Sequence, residues 1–69
     1  MEMMMDPMAT FHIAVSVGDY SPPAEAAKMI CGARGQHPYD TAMTPFGHLP
    51  RWQAVILEAK LLAMLGPSA

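Results

Sequence analysis

Apolar and polar residues alternate strictly along the segment that opens the ordered part of the chain. Phe11, Ile13, Val15 and Val17 fall on one side, and Thr10, His12, Ala14 and Ser16 on the other. A period of two carried by β-branched and aromatic residues predicts a strand with one buried face. Gly18 and Asp19 then turn the chain. The next signal, Ser21-Pro22-Pro23-Ala24-Glu25, reads as a helix start. Ser21 can accept from an uncommitted backbone N–H, proline suits the first helical position, and Glu25 sits at the positive end of the dipole. This helix is expected over about 22–32, with Ala26, Ala27, Met29, Ile30 and Cys31 on its apolar side. Gly32 and Gly35 offer left-handed caps at its end.

Residues 36–49 contain Pro38, Pro45 and Gly47 and run directly into Pro50. Regular structure is not expected to persist there. The segment reads as a binding loop, a packed loop, or the host of a short helical turn around 40–43. The strongest helix follows, from Pro50 to Leu65, opened by proline and closed by Gly66-Pro67. At about 100° per residue, Trp52, Val55, Ile56, Ala59, Leu62 and Ala63 form one apolar stripe. Leu57, Leu61, Met64 and Leu65 form a second on the opposite side, with Arg51 and Glu58, and Gln53 and Lys60, as narrow polar seams between them. A helix apolar on two faces must be covered twice.

These elements predict an α+β protein in which one N-terminal strand is followed by two helices. The solitary strand leaves its backbone donors and acceptors unpaired, and no second run of comparable quality exists to pair with it. The expected solution is the same strand of a second copy, antiparallel across a two-fold axis, so that the strand is paired between the chains of a homodimer. The predicted interface is Phe11, Ile13, Val15, Val17, Trp52, Leu57, Leu61, Met64 and Leu65. The lone Trp of a small domain is more often core, but interface hot spots are enriched in Trp, and Trp52 stays in this set. Residues 1–8 are expected to be a Met-rich tail, 9–66 a single domain and 67–69 a second short tail.

Composition strengthens the case for association. A chain of 69 residues buries only about 60 % of its unfolded surface. With a single cysteine and no zinc-site spacing, it lacks the usual staples of small domains. Only 14 % of its residues are charged, against roughly 25 % in an average soluble domain, so a lone copy would expose much apolar area. The net charge of −2, with Lys28, Arg34, Arg51 and Lys60 far apart, argues against nucleic acid as a partner. No apolar run approaches the ~20 residues that span a bilayer, so no membrane segment is expected. Glu2 and Asp6 stand where a signal peptide needs positive charge, and the lone Cys31 suits a reducing, cytoplasmic setting.

Candidate chemistry is sparse. Cys31, His37 and Asp40 are the residue types of a thiol nucleophile with its base and orienter, but Cys31 falls on an apolar helix side where cysteine serves as a small core residue. His12, His37, His48 and Asp40 could ligate a metal, yet show no familiar spacing. Gly32-Ala33-Arg34-Gly35 resembles the glycine loop of RNA-binding KH domains, which clamps a nucleic-acid backbone. Only Arg34 is basic, however, and Pro38 interrupts the helix that should follow. Strand, helix, helix also resembles ribbon-helix-helix repressors, although the outward strand positions carry no Lys or Arg. Tyr20 and Tyr39, each beside an acid, suit an exposed partner-binding rim.

The reading is therefore a non-catalytic protein-binding module, adaptor or inhibitor, acting as a homodimer or as a small subunit of a complex with another protein. It uses no cofactor and no metal. The alternative is a small dimeric nucleic-acid-binding regulator, and a third reading is an enzyme or metal protein assembled at an interface.

Overall fold

The computed structural model describes residues 7–65, with Pro7 and Leu65 as backbone only. The Met-rich segment 1–6 and the end 66–69 lie outside the described residues, as does the predicted interface side chain of Leu65. Three helices and one hairpin make up the described chain: α1 (Pro7–Ser16), α2 (Pro22–Ala33), β1 (Thr41–Thr44), β2 (Gly47–Pro50) and α3 (Arg51–Leu65). The class is α+β, but its sheet is a hairpin between α2 and α3 rather than an N-terminal strand, and it pairs within the chain. The expected fold, and the strand shared between two copies, are thereby corrected.

The correction begins at α1. Pro7 occupies the first helical position, where its fixed φ and missing N–H do no harm. Thr10 and Ala14, four residues apart, are fully buried, while Phe11 and Val17 are half-buried beside them. That is a helical spacing. Ile13 and Val15, which an alternating strand would bury, are exposed instead. Ala14 is small enough to let α1 lie close against α3, which bulkier Ile13 or Val15 could not do in its place. Gln53 of α3 closes the end of α1 by donating from Nε2 to the carbonyls of Ala14 (3.3 Å) and Val15 (3.5 Å), two groups the helix itself leaves open. A helix satisfies its own backbone, which a strand without a partner cannot do.

The expected second helix forms as α2. Ser21 accepts from the Ala24 N–H at 3.2 Å, and Glu25 lies in the first turn. At its other end Gln36 N–H donates to Cys31 O (2.8 Å) and Gly35 N–H to Gly32 O (3.0 Å). Gly35 takes φ 72°, so the helix ends in a Schellman motif that needs glycine there, while Gly32 lies inside the helix.

The segment expected to lack regular structure forms the hairpin. Its register pairs Thr41 with Pro50, Ala42 with Leu49, Met43 with His48 and Thr44 with Gly47. Pro45 and Phe46 form the turn, which Thr44 secures: its hydroxyl donates to Gly47 O (2.7 Å) and accepts from Phe46 N–H (3.1 Å). Pro50 is tolerated because it ends an edge strand. The hairpin seats Phe46 against Phe11 of α1, with ring centres 5.2 Å apart.

The expected last helix forms as α3, and α1, α2 and the hairpin all pack on it. Its first N–H groups are satisfied by the preceding loop, Arg51 N–H by Asp40 O (2.7 Å) and Trp52 N–H by Pro38 O (2.9 Å). The core joins Trp52, Val55, Ile56 and Leu57 of α3 to Ala14, Ala24, Ala27 and Cys31, with Phe11, Val17, Phe46, Leu49 and Leu61 around it. Near its start, then, the double cover that the two apolar faces of α3 demand comes from its own chain.

Candidate functional site

Two features of the surface stand out: an apolar face shared by α2 and α3, and a cluster of aromatic rings around one lysine.

Packing of α2 on α3 leaves a groove of about 400 Å³ whose walls include Pro23, Ala26, Ile30, Ala59, Lys60 and Ala63. Small side chains line it because alanine at Ala26 and Ala59 keeps the two helices near each other without filling the space above them. Leu62, 61 % exposed, and Ile30 project beside it. Arg34 and Glu58 close one end with an exposed ion pair at 3.8 Å, a contact worth about 0–1 kcal/mol. A second apolar cleft of about 310 Å³ lies where Met43, Pro45 and Leu61 face one another, and Leu62 belongs to its wall too. Apolar surface thus lies on either side of the C-terminal half of α3, with Glu58 and Lys60 exposed among it.

The aromatic cluster is drawn from three separate parts of the fold. Lys28 of α2 places Nζ 5.6 Å from the ring centre of Tyr20, 5.2 Å from that of Tyr39 and 5.5 Å from that of Trp52. Tyr20 comes from the α1–α2 turn, Tyr39 from the loop before β1, and Trp52 from the first turn of α3. The ammonium also donates to Asp19 O at 2.7 Å. Its pKa is raised above the ordinary lysine value, first by a hydrogen bond with Tyr39 and further by the charges of Tyr39, Glu25 and Asp19, against desolvation that lowers it. The loop bearing Tyr39 is fixed because its Pro38 and Asp40 carbonyls cap α3, and because Tyr39 N–H donates to His37 Nδ1 at 3.1 Å. Beneath the cluster the indole N–H of Trp52 and the Nε of Arg51 are buried without a hydrogen-bond partner among the described residues, at a cost of about 1–3 kcal/mol each.

The predicted interface positions are divided by the fold. Trp52 and Leu57, each 2 % exposed, lie in the chain's own core. Phe11, Val17, Leu61 and Met64 are half-buried, and Met64 Sδ accepts from the Thr10 hydroxyl at 3.1 Å. Ile13 and Val15 face solvent on α1. On α2, of the residues that the sequence pattern places on the apolar side, Ala27 and Cys31 are buried whereas Ala26, Met29 and Ile30 are exposed. Tyr20 and Tyr39 are exposed, as a rim requires, but they also share one cation, which no sequence spacing announces.

Of the candidate chemical groups, Cys31 is fully buried in the core, and His12, His37, Asp40 and His48 are exposed. Among the described residues no three His, Cys, Asp or Glu side chains converge as metal ligands, and no helix is long and apolar enough to cross a membrane. The Gly32–Gly35 segment that resembled a KH loop is the end of α2 and its Schellman cap. Comparison with protein-family models, curated proteins and solved structures finds no match.

Proposed function

We propose that this chain is a non-catalytic protein-binding module that works as a homodimer, using the α2–α3 face as the contact between copies. One observation carries the reading: the same face holds both knobs and a hole. Ile30 and Leu62 project from it, and the alanine-lined groove of Ala26, Ala59 and Ala63 is sunk beside them. A two-fold contact requires that self-complementarity, since each patch must receive its own counterpart. A standard interface covers about 800 Å² per partner, roughly a sixth of the 4622 Å² accessible surface of one copy. A dimer through this face does not use the rings around Lys28, which stay open to a further partner. The buried, unpaired thiol of Cys31 supports a reducing compartment such as the cytoplasm.

Sedimentation equilibrium at micromolar concentration tests the proposal. The expected mass is twice the 7.5 kDa of one chain, and Leu62→Glu, which puts a charge on the contact and alters nothing buried in the monomer, should return it to a single copy. A wild-type protein that stays monomeric, or a Leu62→Glu variant that still dimerises, contradicts it.

A further inference from the structure

The arrangement around Lys28 does not enter the dimer reading and stands independently of it. Three aromatic faces converge within 5.2–5.6 Å of one ammonium nitrogen, inside the range of about 6 Å over which a ring quadrupole attracts a cation. A primary ammonium is an imperfect occupant of such a place. Asp19 O and Tyr39 receive hydrogen bonds from its three N–H donors, and for the remainder the aromatic faces are poor acceptors in exchange for a strongly held hydration shell. A fully alkylated ammonium keeps the charge and has no donor to leave unsatisfied. The three rings attract such a cation by the same quadrupole, with no N–H to satisfy.

Access is consistent with exchange. Tyr20 is 89 % and Tyr39 51 % exposed, so the cluster opens to solvent on the tyrosine side, while Trp52 forms its floor at 2 % exposed, beneath Lys28. Lys28 is a long side chain on a helix, and moving it aside breaks its bonds to Asp19 O and Tyr39 and its ring contacts, none of which belongs to the backbone bonding of an element. The backbone holding the rings is pinned by the α3 cap bonds from Pro38 and Asp40 and by the Ser21 cap of α2. The charges of Asp19 and Glu25 act favourably on the cation held there. We propose that Tyr20, Tyr39 and Trp52 form a binding site for a trimethylammonium group, and that Lys28 occupies it as an internal stand-in which the ligand displaces.

The probe is tetramethylammonium chloride, followed by the ring resonances of Tyr20, Tyr39 and Trp52 in the full chain, with sodium chloride as the ionic-strength control and neutral 3,3-dimethylbutanol as the uncharged isostere. Wild-type protein should bind the cation saturably. Lys28→Ala, freed of the competitor, should bind it at least about tenfold more tightly, because the apparent affinity no longer carries the cost of expelling the lysine. Tyr39→Ala should lose binding in either background. Choline and a short peptide bearing N-trimethyllysine then separate a small free cation from a modified protein side chain, and saturable binding of either supports the site. The proposal is overturned if wild-type ring resonances do not respond, if the neutral isostere binds as well as the cation, or if Lys28→Ala binds no more tightly than wild type. Should Lys28→Ala fail to fold, the wild-type titration and its Tyr39→Ala control decide alone.

Discussion

The two halves of α3 are both mostly apolar and meet different fates. From Trp52 to Leu57 the helix is packed by α1, α2 and the hairpin, and Trp52, Val55, Ile56 and Leu57 are core. From Glu58 onward leucine and alanine predominate and the cover is partial: Leu61 and Met64 are half-buried, against the core and against Thr10, while Ala59, Leu62 and Ala63 are exposed beside the α2 groove and the hairpin cleft. Nothing intrinsic to the helix makes this division, since its apolar positions are spread around the whole circumference. What covers a face decides whether an apolar residue holds the fold together or remains available for a contact.

The strongest attempt to break this comparison is to truncate one residue from each half. Leu57→Ala or Trp52→Ala should cost about 3–5 kcal/mol, enough to unfold a domain of this size, because the cavity sits where three elements meet. Leu62→Ala should change the stability of the single chain by less than about 0.5 kcal/mol, since its side chain is mostly in water there. Urea unfolding of the three variants, measured at concentrations low enough to exclude association, checks both numbers. Equal losses from the two halves would erase the distinction.

A second test addresses how the first half comes to be packed. Ala14→Leu places a larger side chain between α1 and α3 and should cost about 1–3 kcal/mol, whereas Ile13→Ala should be nearly neutral. In an alternating strand the order would be reversed, with Ile13 the buried residue and Ala14 the exposed one. Thermal unfolding separates the two cases. Smaller still, Ser21→Ala removes the hydroxyl that caps α2 and should cost about 1 kcal/mol, and Ser21→Asp should restore most of it. Gln53→Ala, which uncovers the last carbonyls of α1, should cost about 0.5–1.5 kcal/mol and speed amide exchange in α1 more than in α2.

The elements read most easily from sequence were those with local punctuation. Ser21-Pro22-Pro23 and Gly35 bracket α2 because a cap and a positive φ are requirements of single residues. α1 was misread because Thr10, Phe11, Ala14 and Val17 satisfy a period of 3.6 while Phe11, Ile13, Val15 and Val17 satisfy a period of two, and only contact with α3 chooses between them. β-branched residues at Thr10, Ile13, Val15 and Val17 tipped the local preference toward strand, and packing overrode it. The hairpin was hidden by its prolines, whose breaking effect is real in a helix or a central strand but absent at a turn and at an edge. In the candidate sites, the two-sided apolar character of α3 was visible, though not which half of it the chain itself would cover. The Lys28 cluster was not visible, because its residues stand on four different segments and meet only in the folded chain.

The central claim, that the partly covered half of α3 and its neighbour α2 meet the same face of a second copy, is tested most directly by isotope-filtered NOE spectroscopy on a mixture of labelled and unlabelled protein. The account predicts intermolecular contacts from the Leu62 methyls to the Ala26 and Ala59 methyls of the other copy, and their disappearance in Leu62→Glu. A dimer whose intermolecular contacts run instead through Ile13 and Val15 of α1, or a sample with no intermolecular contacts at all, would contradict it.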